Sequence, residues 1–158
     1  MRALLLALTI AASPAAAAEW GHYANARFGY ATDVPPGFEA RGDAENGDGQ
    51  VFATPTAELR VFGANILAGD FEGEVRARQS AFTGEGWALS YQVTTPASAS
   101  FSGSRGGRVL YVRAIALCGG QQIGVLELAY GRADLVAFNP VVDRLVAAFR
   151  PTQGGSDC

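Results

Sequence analysis

Four oxygen-bearing side chains, Asp43, Glu45, Asn46 and Asp48, fall within six residues, a density that suits a calcium loop. An EF-hand loop asks for an acid at the first position, Asp or Asn at the third and fifth, glycine at the sixth, and a glutamate six residues later. Here Glu45 takes the third position, Gly47 the fifth and Asp48 the sixth, and no glutamate follows at that spacing. Asn46-Gly47 and Asp48-Gly49 are turn dipeptides instead, so the stretch reads as a solvated hairpin loop. His22 is the only histidine, and with Cys118 and Cys158 it cannot make up an ordinary zinc site. A Ser-His-acid triad would need this same residue, and there is no G-x-S-x-G elbow. Gly103 to Arg108 is glycine-rich, yet it lacks the Gly-Lys-Ser/Thr ending of a phosphate loop and leads into a strand rather than a helix. These patterns nominate no catalytic residue, no metal ligand and no cofactor-binding residue.

Other groupings stand out by residue type. Arg113 and Glu127 each interrupt an otherwise apolar strand, and those strands are hairpin partners in sequence order. A three-residue loop, Gly119 to Gln121, sets the two opposite each other as a structural ion pair, whereas a two-residue Gly119-Gly120 turn pairs Glu127 with Val112. Leaving either unpaired in the interior would cost several kcal/mol. The functional alternative is a polar floor to a cleft between sheet and helix. Asp33 with Glu127 is the carboxylate couple a hydrolase would use, although nothing in their spacing requires it. Trp87, Tyr91, Phe101 and Tyr111 are either ordinary core or the walls of an apolar cleft for a small molecule or lipid. Cys118 and Cys158 form an even pair, which in an oxidising compartment invites a disulfide; the alternative is a buried thiol and a free one.

Period-two alternation dominates the elements that must position these residues. Phe28, Tyr30, Thr32 and Val34 share one face of a strand from Arg27 to Val34, which Pro35-Pro36-Gly37 ends. Short strands follow at Gln50 to Ala53 and Leu59 to Ile66. Asp70 is a helix N-cap, with Phe71, Val75, Arg78 and Phe82 at helical spacing and Gly84 and Gly86 as the stop. Strands then run over Trp87–Thr95, Ala99–Arg105, Arg108–Cys118 and Ile123–Tyr130, joined by tight turns that make the sheet antiparallel. Arg108–Cys118 is apolar on both faces, so both faces must be covered. Asn139 as cap and Pro140 at the first helical position open a last helix whose stripe is Val141, Val142, Leu145, Val146, Ala148 and Phe149. The expected fold class is α+β, a mostly antiparallel β-sheet flanked by helices as an α/β/α sandwich.

The first residues carry a different message. Met1-Arg2, the apolar run Ala3 to Ala12, the Ser13-Pro14 break and Ala16-Ala17-Ala18 are the parts of a secretory signal peptide. The run is too short to cross ~30 Å of hydrocarbon, which takes roughly 20 residues. Cleavage near Ala18 predicts a periplasmic or secreted protein with one domain over 19–150 and a flexible tail over 151–158. The remaining 140 residues hold 11 arginines against 15 acids and no lysine. That balance of −4, with no basic cluster, argues against nucleic acid. No later stretch is apolar enough to span a membrane as a helix.

Arg27-Phe28-Gly29-Tyr30, followed by Asp33-Val34-Pro35-Pro36-Gly37-Phe38, resembles the first strand of PsbP-like domains, in which an aromatic strand leads into a Pro-Gly-aromatic turn. The hairpin at Gly106-Gly107 and the helix ending in Phe149-Arg150 are similar too. The resemblance implies an antiparallel sheet between helices. It places the chain among photosystem accessory proteins, a Ran-GTPase-binding protein and exported bacterial proteins. It implies no shared catalytic residues. The functional expectation is therefore an exported, non-catalytic accessory domain with a protein partner. A module for a small apolar ligand is the alternative, and a carboxylate-dependent hydrolase the third reading.

Overall fold

In chain order the elements are β1 (Gly21–Asn25), β2 (Tyr30–Val34), β3 (Glu39–Asp43), β4 (Gly49–Ala53), β5 (Glu58–Asn65) and α1 (Phe71–Gly84). Then come β6 (Ala88–Thr94), β7 (Ser98–Arg105), β8 (Arg108–Leu117), β9 (Gln122–Gly131), α2 (Leu135–Ala148) and β10 (Arg150–Pro151). The structure, a computed structural model, describes residues 19–43 and 46–158. The expected signal peptide, 1–18, and Glu45 of the acidic loop lie outside the described residues.

Alternation in β5, β8 and β9 builds the molecule. These strands lie side by side in a seven-stranded antiparallel sheet of order β3-β4-β5-β9-β8-β7-β6. Successive side chains of a strand point to opposite faces. One face therefore presents Leu110, Val112, Ala114, Ile123 and Val125, packed with Phe71 and Val75 of α1. The other presents Leu59, Val61, Ile115, Leu117, Leu126 and Leu128, packed with Leu145 of α2 and with Phe28, Tyr30 and Val34. Each fully buried Leu or Val contributes about 1.5–3 kcal/mol, and this two-sided burial is why the central strands are apolar throughout. The layers are α1, the seven-stranded sheet, and then α2 together with a small sheet of order β1-β2-β10. The fold is α+β, as the alternation predicts.

The small sheet is fixed onto the large one by aromatic rings. Tyr23 meets Phe52 edge-on at 5.6 Å between centroids, and Tyr30 meets Phe149 at 5.8 Å. Phe28 enters a slot over β5, where a Cβ on Gly63 would lie 2.2 Å from its ring. Only glycine permits that approach.

Four features depart from the sequence reading. Arg27 to Phe28 does not start the opening strand. The segment ahead of it forms β1, Gly21–Asn25, and Asn25 pairs with Tyr30 across a turn. Asn25 shapes that turn, because its side-chain oxygen accepts from Phe28 N at 2.9 Å and its carbonyl from Gly29 N at 2.9 Å. Glu39–Asp43, where the sequence reading places no strand, is an edge strand interrupted by a bulge between Ala40 and Asp43. The last helix opens at Leu135 rather than at Pro140. A proline in the second turn forgoes one bond, to the carbonyl of exposed Val136, while Phe138 stacks on Tyr130 at 4.3 Å and holds the first turn on β9.

The fourth departure is the tail. Cys118 and Cys158 are joined in a disulfide, with Cα atoms 5.3 Å apart. Between them, Thr152 N donates to Gly29 O, Ser156 N to Ala26 O and Asp157 N to Arg27 O. Gly155 lies so close that a Cβ there would stand 2.2 Å from Arg27 O. Residues 151–158, read as loose from Gly154-Gly155, run instead as a strap along the β1–β2 turn.

Candidate functional site

Cover on the α2 side of the sheet stops short. The small sheet overlies β4 and β5, and α2 lies over β9 and β8, with Phe138 on Tyr130 and Phe149 against Gly124. Beyond β8, neither α2 nor the small sheet pairs with β7 and β6; Ser100 is buried beside Arg113, the other β7 serines are partly exposed, and β6 is open. On this side β7 presents Ser98, Ser100, Ser102 and Ser104, with Tyr91 opposite Ser102 and Val93 opposite Ser100 on β6. Tyr91 is 46% exposed and Val93 49%. The flank of α2 rises beside this floor. Asp143 lies close enough to act on the Tyr111 phenol, and Val136, two turns earlier on the same side of the helix, is 80% exposed. The result is a step, with the sheet as floor and a helix as wall.

Arg113 occupies the inner corner of the step. Its Nη1 donates to Ser100 Oγ at 3.2 Å, and its Nε is buried without a hydrogen-bond partner among the described residues. Neighbouring Tyr111 is half-buried, and burial pushes its phenol above the ordinary value, opposed by the nearby Ser100 hydroxyl. Tyr111 therefore stays a neutral hydroxyl at physiological pH. A guanidinium, a row of hydroxyls and exposed apolar side chains thus share one surface. Aromatic side chains and arginine are the residue types enriched in protein interfaces.

The α1 side carries the other polar cluster. Glu127 rises from β9 and stands 3.9 Å from Arg60, while Arg78 pairs with Glu74 at 3.0 Å and lies over the Phe62 ring. Burial pushes the Glu127 carboxyl above its usual range, with the guanidinium of Arg60, and then that of Arg78, opposing the shift. Nearby, an open depression of about 340 Å³ is lined by Arg41, Gln50, Val51, Arg60 and Phe62, among others.

The structure brings few of the sequence candidates together. Arg113 and Glu127 do not form an ion pair. Four residues, Cys118 to Gln121, separate Leu117 from its partner Gln122, so Glu127 falls opposite Val112 and Arg113 opposite Leu126. One residue of register sends the two to opposite faces. Asp33 and Glu127 are likewise in different layers. Asp33 instead accepts from Arg144 Nε at 2.9 Å and lies 3.7 Å from His22 Nδ1, while Arg144 covers the Trp20 ring. Trp87 and Phe101 are buried on the α1 side, whereas Tyr91 and Tyr111 belong to the step, so the four line no common cleft. In the acidic loop, Asn46 donates to Asp48 at 2.8 Å, and the Gly47 and Asp48 carbonyls accept from Asn25 and Tyr30. Among the described residues no group of three His, Cys, Asp or Glu side chains could hold a metal ion.

Sequence reasoning missed the serine row, although its signal is plain. Ser98, Ser100, Ser102 and Ser104 repeat with period two, the mark of a strand face kept out of the apolar core. It also missed the partnership of Arg78 with Phe62, which depends on how α1 crosses the sheet.

Among the described residues no helix is long and apolar enough to cross a membrane. A scan against family models finds none that matches this sequence, and a search of curated proteins likewise finds no match. Solved structures do match. Cyanobacterial PsbP (CyanoP) from Synechocystis sp. superposes with a TM-score of 0.63 at 12% identity, covering 89% of this chain and 97% of that one. The Ran-binding protein Mog1p of Saccharomyces cerevisiae gives 0.61 at 11% identity, covering 85% and 96%. A point mutant of Mog1 gives 0.62 at 11% identity, again covering 85% and 96%. At such identities the likeness is one of fold, and the fold is PsbP-like.

Proposed function

We propose that this chain is an exported, non-catalytic accessory domain that binds another protein at the step between the β6–β7 face and α2. One observation carries the reading. Tyr91 and Val93 are large, exposed and apolar, and Val93 lies in register with Ser100, the partner of Arg113, while Val136 is exposed on the wall formed by α2. Exposed apolar side chains gathered around a charged anchor are the usual makings of a protein interface. Yeast Mog1p, which shares the fold, is named for binding Ran, a protein partner. The signal-peptide pattern and the Cys118–Cys158 disulfide support an oxidising compartment outside the cytoplasm.

A photo-crosslinking side chain placed at position 93 tests this, with position 56 in the β4–β5 turn as control. We expect a discrete protein adduct at 93 in the periplasmic fraction, none at 56, and loss of the adduct when Tyr91→Asp is added. Equal labelling at both positions, or none at either, would remove the step as a binding surface. The alternative, a small apolar ligand, rests on the depression of about 340 Å³ floored by Val51 and Phe62, at the low end of ligand-sized cavities of ~300–1,000 Å³. Native mass spectrometry of protein taken from the envelope would favour it by showing a bound mass that Phe62→Ala abolishes.

A further inference from the structure

We infer that the partner is held by strand addition: an extended segment bearing an acidic side chain pairs with the free edge of β6, and that acid reaches Arg76. This inference rests on the protein-binding reading above and specifies how the partner is held. β6 is the outermost strand of the seven-stranded sheet on its side, so among the described residues one row of its backbone groups has no partner strand. Its direction can be worked out from the hairpin. Thr95 N donates to Ser98 O at 2.8 Å, which makes Thr95 and Ser98 a hydrogen-bonded pair. Hydrogen-bonded and non-bonded pairs alternate along an antiparallel ladder. In the observed register, Val93 with Ser100 and Tyr91 with Ser102 are then bonded inward. The N–H and C=O groups of Gln92 and Thr94 point out of the sheet.

Nothing in the edge repels a new strand. Ala88 to Thr94 contains no proline and no charged residue. Edges closed to addition are usually charged, kinked or covered. β6 does carry a bulge between Leu89 and Tyr91, so the regular stretch open to pairing is Tyr91 to Thr94. Side chains of an added strand would alternate between the two faces of the sheet. Those on the α2 side would continue the Tyr91–Val93 floor of the step. Those on the α1 side would meet a depression of about 560 Å³ between α1 and β6, lined by Arg76, Gln79, Ser80, Thr83, Trp87 and Gln92, among others. Arg76 is the one charged group among its lining residues, is exposed, and enters no ion pair among the described residues. A free guanidinium at the mouth of a neutral depression selects an anionic side chain.

The probe is a capped hexapeptide alternating threonine and valine with one central glutamate, titrated into isotope-labelled protein from Glu19 onward with its disulfide formed. We expect saturable binding, with slowed amide exchange at Gln92 and Thr94 and little change at the β3 edge. Gln92→Pro removes an outward N–H and no ladder bond, and should weaken binding by about tenfold or more. A peptide methylated on alternate backbone nitrogens gives the same reading with the protein untouched. Arg76→Glu should weaken the glutamate peptide by about three- to fivefold, the range of an exposed ion pair, and leave its glutamine analogue unchanged. Peptide binding that perturbs Tyr91 and Tyr111 while Gln92 and Thr94 exchange as before would overturn strand addition and leave the step as an interface. No binding at millimolar peptide would overturn strand addition as well, while the crosslink at position 93 judges the broader reading separately. Equal loss for the glutamate and glutamine peptides on Arg76→Glu would overturn the acidic requirement.

Discussion

The seven-stranded sheet ends in two different ways. At β3 the edge reads Glu-Ala-Arg-Gly-Asp, is bulged, and adjoins β4 and β5, which the small sheet and its aromatic rings cover. At β6 the edge reads Ala-Leu-Ser-Tyr-Gln-Val-Thr, and the α2 side of the sheet is open. The chain spends two hairpin strands and their aromatic rings near one end, and nothing comparable lies on the α2 side of the other. The difference sets up a contrast: rings at the covered end are buried in the core, whereas Tyr91 and Val93 at the other end stand in solvent on the α2 side.

That division predicts unequal costs. Phe149→Ala removes a buried ring that touches Tyr30 and Gly124, and should cost about 3–5 kcal/mol, whereas Tyr91→Ala should change stability by no more than about 0.5 kcal/mol. Urea unfolding followed by circular dichroism gives both numbers, and similar losses would break the contrast. Next in size is the disulfide. Cys158→Ser opens a crosslink with a sequence separation of 40, for which the loop model allows up to about 4 kcal/mol. The same variant should expose the amides of Ser156 and Asp157 to exchange; unchanged protection would mean that the strap holds without its covalent bond. Asp70→Ala removes the side chain that caps α1 through Gly73 N at 2.7 Å and should cost about 1 kcal/mol, a loss read as a lower melting temperature.

The structure carries the sequence's own divisions only so far. β8 and β9 are legible because two-sided burial leaves an apolar run that nothing else explains. α1 is legible from Asp70 and the spacing of Phe71, Val75 and Phe82. The fate of Arg113 and Glu127 was not, since it turns on one residue of loop length. The connection contains Cys118 at positive φ, an unusual conformation for a residue other than glycine, and no dipeptide rule gives it. β1 escaped because its Gly-His-Tyr-Ala-Asn segment is mostly exposed and gains its strand from pairing with β2. The β6–β7 face was hidden for another reason: a serine row looks the same whether water or a partner will cover it.

The smallest predicted effect concerns Glu127. Its folded carboxyl has a raised pKa, so the folded chain holds that proton more tightly than the unfolded one. The stability contributed by the protonated form is fully present below the ordinary glutamate value and lost as pH rises through the raised one. Glu127→Gln, which cannot ionise, should therefore gain on the natural chain between acid and neutral pH. Urea midpoints at pH 4 and pH 7 measure this, and a difference that is flat or reversed with pH would contradict the assignment.

The slot at Gly63 has one more consequence. β5 reads Glu-Leu-Arg-Val-Phe-Gly-Ala-Asn, and Gly63 is its only residue without a side chain. A slip of the small sheet by two residues would bring the Phe28 ring over Val61 or Asn65, both of which carry a Cβ. Docking of the first hairpin is consequently an all-or-none choice with one permitted address, set by a missing atom.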